Sequence, residues 1–274
     1  MDFRELLGAF VLLLGGLSLL QFEGMRVRKL GMFLIWLASG LGTHALSNSL
    51  MLAIAMLAAW AFFPLWEIVF VMRQLRVPRH RELTDARPPR DEFEELAEVT
   101  KHLVDAGFEQ IDECRLQPVE HEQFYRIFIR ADGLIQASIG YIAQGPIGFH
   151  FVAFTSNSKD GRRWVTWDYP LTYGLVMPPN VAVFRALHTQ DATELYEAHR
   201  DFLEVNEVHP EDLVASEKSR DSARTRLQDM LNQQIEYNIA RGYLARADGS
   251  EENFCYSWRG TLYVTGQVIR DLLF

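Results

Sequence analysis

The stretch LMLAIAMLAAWAFFPLWEIVFVM, Leu50–Met72, holds a single charged side chain, Glu67. A bilayer core ~30 Å thick is crossed by about 20 helical residues, so this stretch reads as a membrane span. Two further apolar runs precede it, Leu6–Phe22 and Gly31–Leu46. Residues 1–72 therefore read as a transmembrane module of three helices, with a separate water-soluble domain behind it. The run Gly31–Leu46 is short and contains Gly40, Gly42, Thr43 and His44 near its end. That leaves a re-entrant or tilted course open for it.

The basic residues set an orientation. Arg26, Arg28 and Lys29 lie in the first loop; Arg73, Arg76, Arg79 and Arg81 follow the last run. Positive flanks favour the cytoplasmic side. Three crossings satisfy both clusters, with the N-terminus outside, the C-terminal domain in the cytoplasm and the chain in the cell (inner) membrane. Two crossings would strand Arg26–Lys29 outside. No cleavable signal peptide is expected, because Met1–Glu5 has no net positive charge and no small-x-small site follows Leu20. Gly8, Gly15, Gly16, Ser39, Gly40, Ala55 and Ala59 allow close approach between helices, as in a packed bundle or a homo-oligomer.

Charge is distributed unevenly. The chain carries −9 in all. Residues 1–72 balance, and residues 73–90 hold six arginines against Glu82 and Asp85, a net +4. Subtracting +4 from −9 leaves −13 for residues 91–274. An acidic domain argues against a nucleic-acid partner, since a polyanion calls for clustered Lys and Arg. The Arg- and Pro-rich stem, 73–90, fits a segment lying on anionic headgroups, and Pro78, Pro88 and Pro89 place a domain boundary there. Cys114 and Cys255 read as two reduced core thiols.

Residues 91–274 read as an α+β domain. Asp91 is placed to cap a helix whose apolar stripe is Phe93, Leu96, Ala97, Thr100, Leu103 and Val104, ended by Gly107. Strands follow at Phe108–Leu116, Gln123–Arg130, Leu134–Ala143, Phe149–Asn157 and Arg162–Tyr169. Turn signals at Asp132-Gly133, Gln144-Gly145-Pro146 and Asp160-Gly161 join them into an antiparallel meander. Phe149–Phe154 is apolar on both faces, which predicts a central strand. Val181–Leu187 reads as a further strand. Asp191 and Glu194 have capping-box spacing before a helix with Leu195, Phe202 and Leu203 on one face. A long helix is predicted over Asp221–Arg241, with Gly242 as terminator.

The tail, Gly242-Tyr243-Leu244 through a turn at Asp248-Gly249 to Tyr256-Ser257-Trp258-Arg259-Gly260, resembles the wing of winged-helix domains over about 40 residues. The acidic surroundings argue against the DNA binding that this resemblance implies. The expected role is a helix–hairpin–helix packing element, and the apolar end Leu272-Leu273-Phe274 is expected to be buried.

No motif identifies a reaction. The eight histidines show no ligand spacing, and G-x-S-x-G, P-loop and dinucleotide glycine patterns are absent. Gly145-Pro146-Ile147-Gly148 joins two strands and lacks the helix N-terminus that holds phosphate. No cofactor or metal is expected. The candidate site residues are of two kinds. Glu67 and His44 are polar groups within the apolar module, where an ionisable side chain is a functional candidate. Arg162, Arg163, Trp164 and Trp167 form a polar–aromatic hairpin of the kind enriched at interfaces.

The leading expectation is a membrane-anchored, non-enzymatic adaptor or accessory subunit acting through the acidic domain on a protein partner. A small-ligand sensor coupled to the membrane helices is the first alternative. A component of a membrane transporter or enzyme that uses Glu67 and His44 is the second.

Overall fold

The computed structural model describes residues 3–22, 24–86, 94–117, 122–144, 147–171, 174–187, 189 and 191–273. It divides into two compact units, residues 1–74 with 265–274, and residues 75–264.

The first unit contains α1 (Phe3–Leu19), α2 (Met25–Ser47) and α3 (Leu50–Gln74). Small residues set the packing of these helices. A Cβ on Gly16 would lie 2.8 Å from the Gly31 carbonyl oxygen, and a Cβ on Gly31 would lie 2.7 Å from that of Gly16. Hydrogen is thus the only side chain that fits at either position, and α1 and α2 approach backbone to backbone. At Gly40 the Leu57 side chain of α3 occupies the space of the missing Cβ, and Trp36 Nε1 donates to the Leu57 carbonyl at 3.0 Å. Asn48, in the left-handed region with φ 52°, ends α2 and returns its N–H to the His44 carbonyl.

The expectation of three apolar helices of membrane-crossing length is corrected to two. Among the described residues, the helices long and apolar enough to cross a membrane are α2, over Val27–Ser47, and α3. The 17 residues of α1 rise only about 25 Å at 1.5 Å each; the chain then turns over Leu20–Phe22 and is extended at Gly24. The run Gly31–Leu46 is part of a continuous 23-residue helix. It looked short because the charges at Arg26, Arg28 and Lys29 hid the helix's first turns.

The second unit is built on a seven-stranded sheet. In chain order its elements are β1 (Val77–Pro78), β2 (Glu82–Asp85), α4 (Glu94–Asp105), β3 (Phe108–Gln117), β4 (Glu122–Arg130), β5 (Gln136–Gln144), β6 (Ile147–Asn157), β7 (Arg163–Trp167), β8 (Val181–Arg185), α5 (Ala192–Val205), α6 (Arg220–Ala240), β9 (Leu244–Arg246), β10 (Asn253–Tyr256) and the first part of α7 (Trp258–Leu273), whose residues from Thr265 on belong to the first unit. The large sheet has order β2-β3-β4-β5-β6-β7-β8, and a small sheet has order β1-β10-β9. Strands β2 to β7 pair antiparallel, as the short turns require. β8 joins β7 in parallel after the connection 168–180. The turn glycines Gly133 and Gly161 adopt φ 75° and 86°, the left-handed region that tight turns ask of glycine.

Side-chain alternation divides the core into two layers. Phe124 and Phe128 of β4, Ile139 of β5 and Val152 and Phe154 of β6 pack with Leu96 and Leu103 of α4 and Leu195 and Tyr196 of α5. Tyr125, Ile127 and Ile129 of β4 and Phe151 and Ala153 of β6 pack with Ala223 and Leu227 of α6. Both faces of the sheet are covered, which explains the two-sided apolar run in β6.

Caps fall where expected. Asp191 accepts from the N–H groups of Thr193 and Glu194, and Gly242 follows α6 at φ 72°. Val104, assigned to the α4 stripe, is 52% exposed instead, because the stripe turns past it onto Leu103. The Asp91 cap, Phe93, the Gly145-Pro146 turn and the side chains of Leu272-Leu273-Phe274 lie outside the described residues.

The stem also differs from its reading as an irregular boundary. Residues 77–78 and 82–85 are strands, and the compact domain begins at Leu75. Asn232 of α6 brackets Arg81, accepting its N–H and donating to its carbonyl, while Gln228 accepts the Leu83 N–H. On the other flank of α6, Gln234 donates to the Leu175 carbonyl and Asn238 bonds both backbone groups of Val176. Side-chain amides thus stitch α6 to the start of the edge strand β2 and to the irregular segment at Leu175–Val176.

Candidate functional site

His44 finds a partner that its surroundings in sequence did not suggest. Its Nδ1 stands 2.8 Å from Glu5 Oε2. The pair links α2 to the first turn of α1, 39 residues away. Glu67 is exposed on α3 and makes no ion pair among the described residues. It lies 17 residues into α3, which starts just past the end of α2, so about 25 Å of helix separates it from the level of His44. The two polar candidates of the apolar module are not brought together.

The hairpin candidates divide between the two faces of the sheet. Trp164 is buried on the α5 side, donates Nε1 to Ser158 Oγ at 2.7 Å and meets Phe202 edge-on. Arg163 and Trp167, one position before and three after Trp164, share the opposite face, towards the α6 layer. Arg163 donates Nε to Asn157 Oδ1 at 3.1 Å, and burial lowers its pKa. Trp167 packs on Tyr169 with its buried Nε1 unpartnered. Only Arg162 is a surface group, folded back on Asp160 at the turn. The odd and even positions of β7 therefore carry different roles.

Two clusters were not visible in the sequence reading. The first surrounds His199 of α5. Its Nε2 lies 3.0 Å from Ser156 Oγ of β6, and its Nδ1 lies 2.9 Å from Thr166 Oγ1 of β7. All three are fully buried, and Phe154 stacks on the imidazole at 6.1 Å. Burial drives the histidine pKa down to about 4, so at neutral pH it is an uncharged ring with one donor and one acceptor. A serine beside a neutral imidazole is the core of a nucleophilic pair, but no substrate atom can reach a hydroxyl with zero exposure. The arrangement instead fastens α5 to β6 and β7.

The second cluster surrounds Arg81, between β1 and β2. Its Nε is buried and without a hydrogen-bond partner. Tyr125 of β4, Tyr169 after β7 and Tyr256 of β10 lie near enough to interact with its charge. Their rings continue into an aromatic layer: Phe151 meets Tyr125 at 6.4 Å and Tyr169 at 4.9 Å, and Trp167 meets Tyr169 at 5.4 Å. Burial lowers the Arg81 pKa, opposed by the tyrosines, and burial raises Tyr125 and Tyr256 to about 12, opposed by Arg81. The tyrosines are neutral phenols at physiological pH, and the guanidinium keeps its charge.

Comparison with protein-family models, curated proteins and solved structures finds no match for this chain. Its chemistry is therefore read from its own side chains. No group of three or more His, Cys, Asp or Glu among the described residues could hold a metal. Cys114 is buried with its thiol pushed up to about 12 by burial and by Asp112, so it is no nucleophile. Cys255 is likewise a free thiol.

The most heavily charged cluster is an anchor. Asp112 of β3, almost wholly buried, receives Nε of Arg220 at 2.6 Å and Nε of Arg224 at 2.7 Å, and both arginines also reach the exposed Asp85 of β2. This clamps the first turns of α6 to the sheet. Two arginines of the stem are also engaged: Arg76 pairs with Asp248 at 3.1 Å and Arg79 with Glu236 at 2.7 Å. These two face carboxylates of their own domain, where the sequence suggested a basic surface turned to lipid headgroups.

Proposed function

We propose that this chain is an integral membrane protein of the cell (inner) membrane, anchored through α2 and α3, a pair of spans that leaves both the Arg26–Lys29 end of α2 and the Arg73 end of α3 on the cytoplasmic side. Its acidic domain then serves in the cytoplasm as a non-enzymatic adaptor or accessory subunit for another protein. The anchoring reading is supported by α3, where Phe62, Phe63 and Trp66 are 69%, 69% and 68% exposed on one helix. Contiguous apolar surface of that kind is suited to lipid or to a partner, not to water.

The adaptor reading is carried by Phe184. It lies on β8, an edge of the large sheet, stacks on Phe202 at 5.5 Å and still leaves 42% of its surface exposed. Arg162 is on the turn leading into the neighbouring β7. An exposed aromatic anchor on a sheet edge suits a protein contact, and Arg162 precedes by four positions Thr166, the partner of Phe184 across the strands. The open edge of β8 offers backbone groups to an added strand.

The test is purification of the full chain from native membranes in mild detergent, with Phe184→Asp and Arg162→Glu variants in parallel. One protein is expected at stoichiometric level with the native chain and depleted at least tenfold with Phe184→Asp. A chain that purifies with copies of itself alone, or a partner held equally by both variants, would sink this reading.

A further inference from the structure

Helix α7 buries one face and exposes the other. Thr261 and Val264 are fully buried, and a Cβ on Gly260 would run into the Tyr243 carbonyl, so the buried face is pressed against the chain that follows α6. On the opposite face Trp258, Leu262 and Tyr263 are 62%, 66% and 36% exposed, and Arg259 and Arg270 are exposed with them. At about 100° per residue these five side chains fall within one arc of about 140°. Arg259 is held in place there. Its Nη1 donates to the Arg241 carbonyl at 2.9 Å, and its guanidinium lies over the Tyr243 ring at 4.8 Å, on which Tyr263 packs at 5.2 Å. Residues 253–270 contain no Asp or Glu, although the domain as a whole is strongly acidic.

The topology returns the chain to the exit of the anchor just before α7 begins. Val77, three residues past the end of α3, pairs with Phe254, four residues before the start of α7. Two short chain segments and one strand pair therefore tie the start of α7 to the end of α3, and from Thr265 on α7 belongs to the unit of the apolar helices. From this juxtaposition we infer that α7 is an interfacial helix lying on the anionic cytoplasmic surface of the bilayer. Trp258 and Leu262 sit among the headgroups, and Arg259 and Arg270 meet the lipid anions. The composition of the face suits that place. Tryptophan and tyrosine rings are amphipathic and settle at headgroup level, arginine stems lie along apolar surface while their heads stay with water and phosphate, and a basic helix with an apolar stripe binds in the plane of the interface. Basic side chains next to a membrane exit are drawn to the negative inner leaflet. The inference rests on the anchoring reading and not on the adaptor reading, since it draws on neither Phe184 nor Arg162. It adds a peripheral lipid contact to the two spans.

The test uses the full chain in nanodiscs of phosphatidylcholine, with and without phosphatidylserine, and a nitroxide on one introduced cysteine at a time. Leu262→Cys reports on α7, Phe63→Cys on α3, and Val205→Cys, at a position 82% exposed on α5, is the reference in water. Cys255→Ser removes the half-buried native thiol, and Cys114 is buried. Collisions with oxygen, which concentrates in lipid, are compared with collisions with a water-soluble nickel chelate. With phosphatidylserine present, the label replacing Leu262 is expected to show an oxygen-to-nickel ratio about threefold above that of the label replacing Val205. Arg259→Gln combined with Arg270→Gln is expected to lower that ratio in the same discs and to change it little in phosphatidylcholine alone. A label replacing Phe63 that is open to nickel overturns the anchoring reading and this inference together. A label replacing Phe63 that sits in lipid, beside a label replacing Leu262 that matches the reference, overturns this inference alone. So does a label replacing Leu262 that is shielded from both collision partners, which marks a covering protein or a second copy of the chain. An unchanged ratio in the double arginine variant overturns the assignment of anionic lipid.

Discussion

His199 Nε2 and Ser156 Oγ stand 3.0 Å apart in a site that neither solvent nor substrate reaches. With Thr166 on the other ring nitrogen at 2.9 Å, both polar ends of the imidazole are satisfied by hydroxyls from two adjacent strands. Such a network fixes the position of α5 more narrowly than apolar packing would, because every member must be paired at once.

The pH dependence of stability follows from that burial. The folded-state pKa of His199 is pushed down to about 4, below the ordinary value of 6.5. Between those values the unfolded chain binds the proton and the folded chain does not. This group's contribution is therefore complete above about pH 6.5 and is lost as pH falls towards 4. The shift corresponds to a loss of about 3 kcal/mol. Denaturant titrations of the full chain in detergent at a series of pH values are expected to show that decline. His199→Gln is expected to flatten it while lowering stability at pH 7 by about 2 kcal/mol through imperfect pairing of Ser156 and Thr166.

Asp112 supplies a second test. Its carboxylate is nearly sealed and is shared by Arg220 and Arg224. Asp112→Asn keeps the shape and removes the charge, leaving two guanidinium groups against a neutral amide. A loss of about 3 kcal/mol in unfolding free energy is expected from denaturant titration. Asp85→Asn, at the exposed end of the same cluster, is expected to cost much less, because water already screens that carboxylate. Equal losses at the two positions would contradict this division between a buried anchor and a solvated outer partner.

The sequence revealed what depends on local pattern and concealed what depends on distant partners. Strand alternation, the Asp132-Gly133 and Asp160-Gly161 turns, the Asp191 cap and the stop at Gly242 all involve neighbours within a few residues, and all are found. The parallel pairing of β8 could not be read, since nothing within Val181–Arg185 records its direction. Arg81 looked like one more basic residue of a stem because its tyrosines come from positions 125, 169 and 256. Glu5 and His44 are joined only by the antiparallel packing of two helices. His199 did leave a signal: Leu195, His199 and Leu203 are spaced four apart, one face of α5, and all three are buried. A histidine in the middle of an apolar stripe marks a polar partner on the opposing layer.

The last prediction concerns the contact between β5 and β6. Gly140 pairs across the strands with Phe151, whose ring lies over the glycine where a Cβ would sit. Two other atoms of that ring would also be no farther than 3.0 Å from an added methyl carbon. Phe151 cannot swing clear, because Tyr125 and Tyr169 hold it edge-on from two sides. Gly140→Ala is therefore expected to lower stability by about 2 kcal/mol through overpacking. Gly174→Ala, where an added Cβ meets nothing within 4 Å, is expected to be close to neutral. Denaturant titration of both variants beside the native chain checks this difference, and equal stability of Gly140→Ala and Gly174→Ala would remove the overpacking argument.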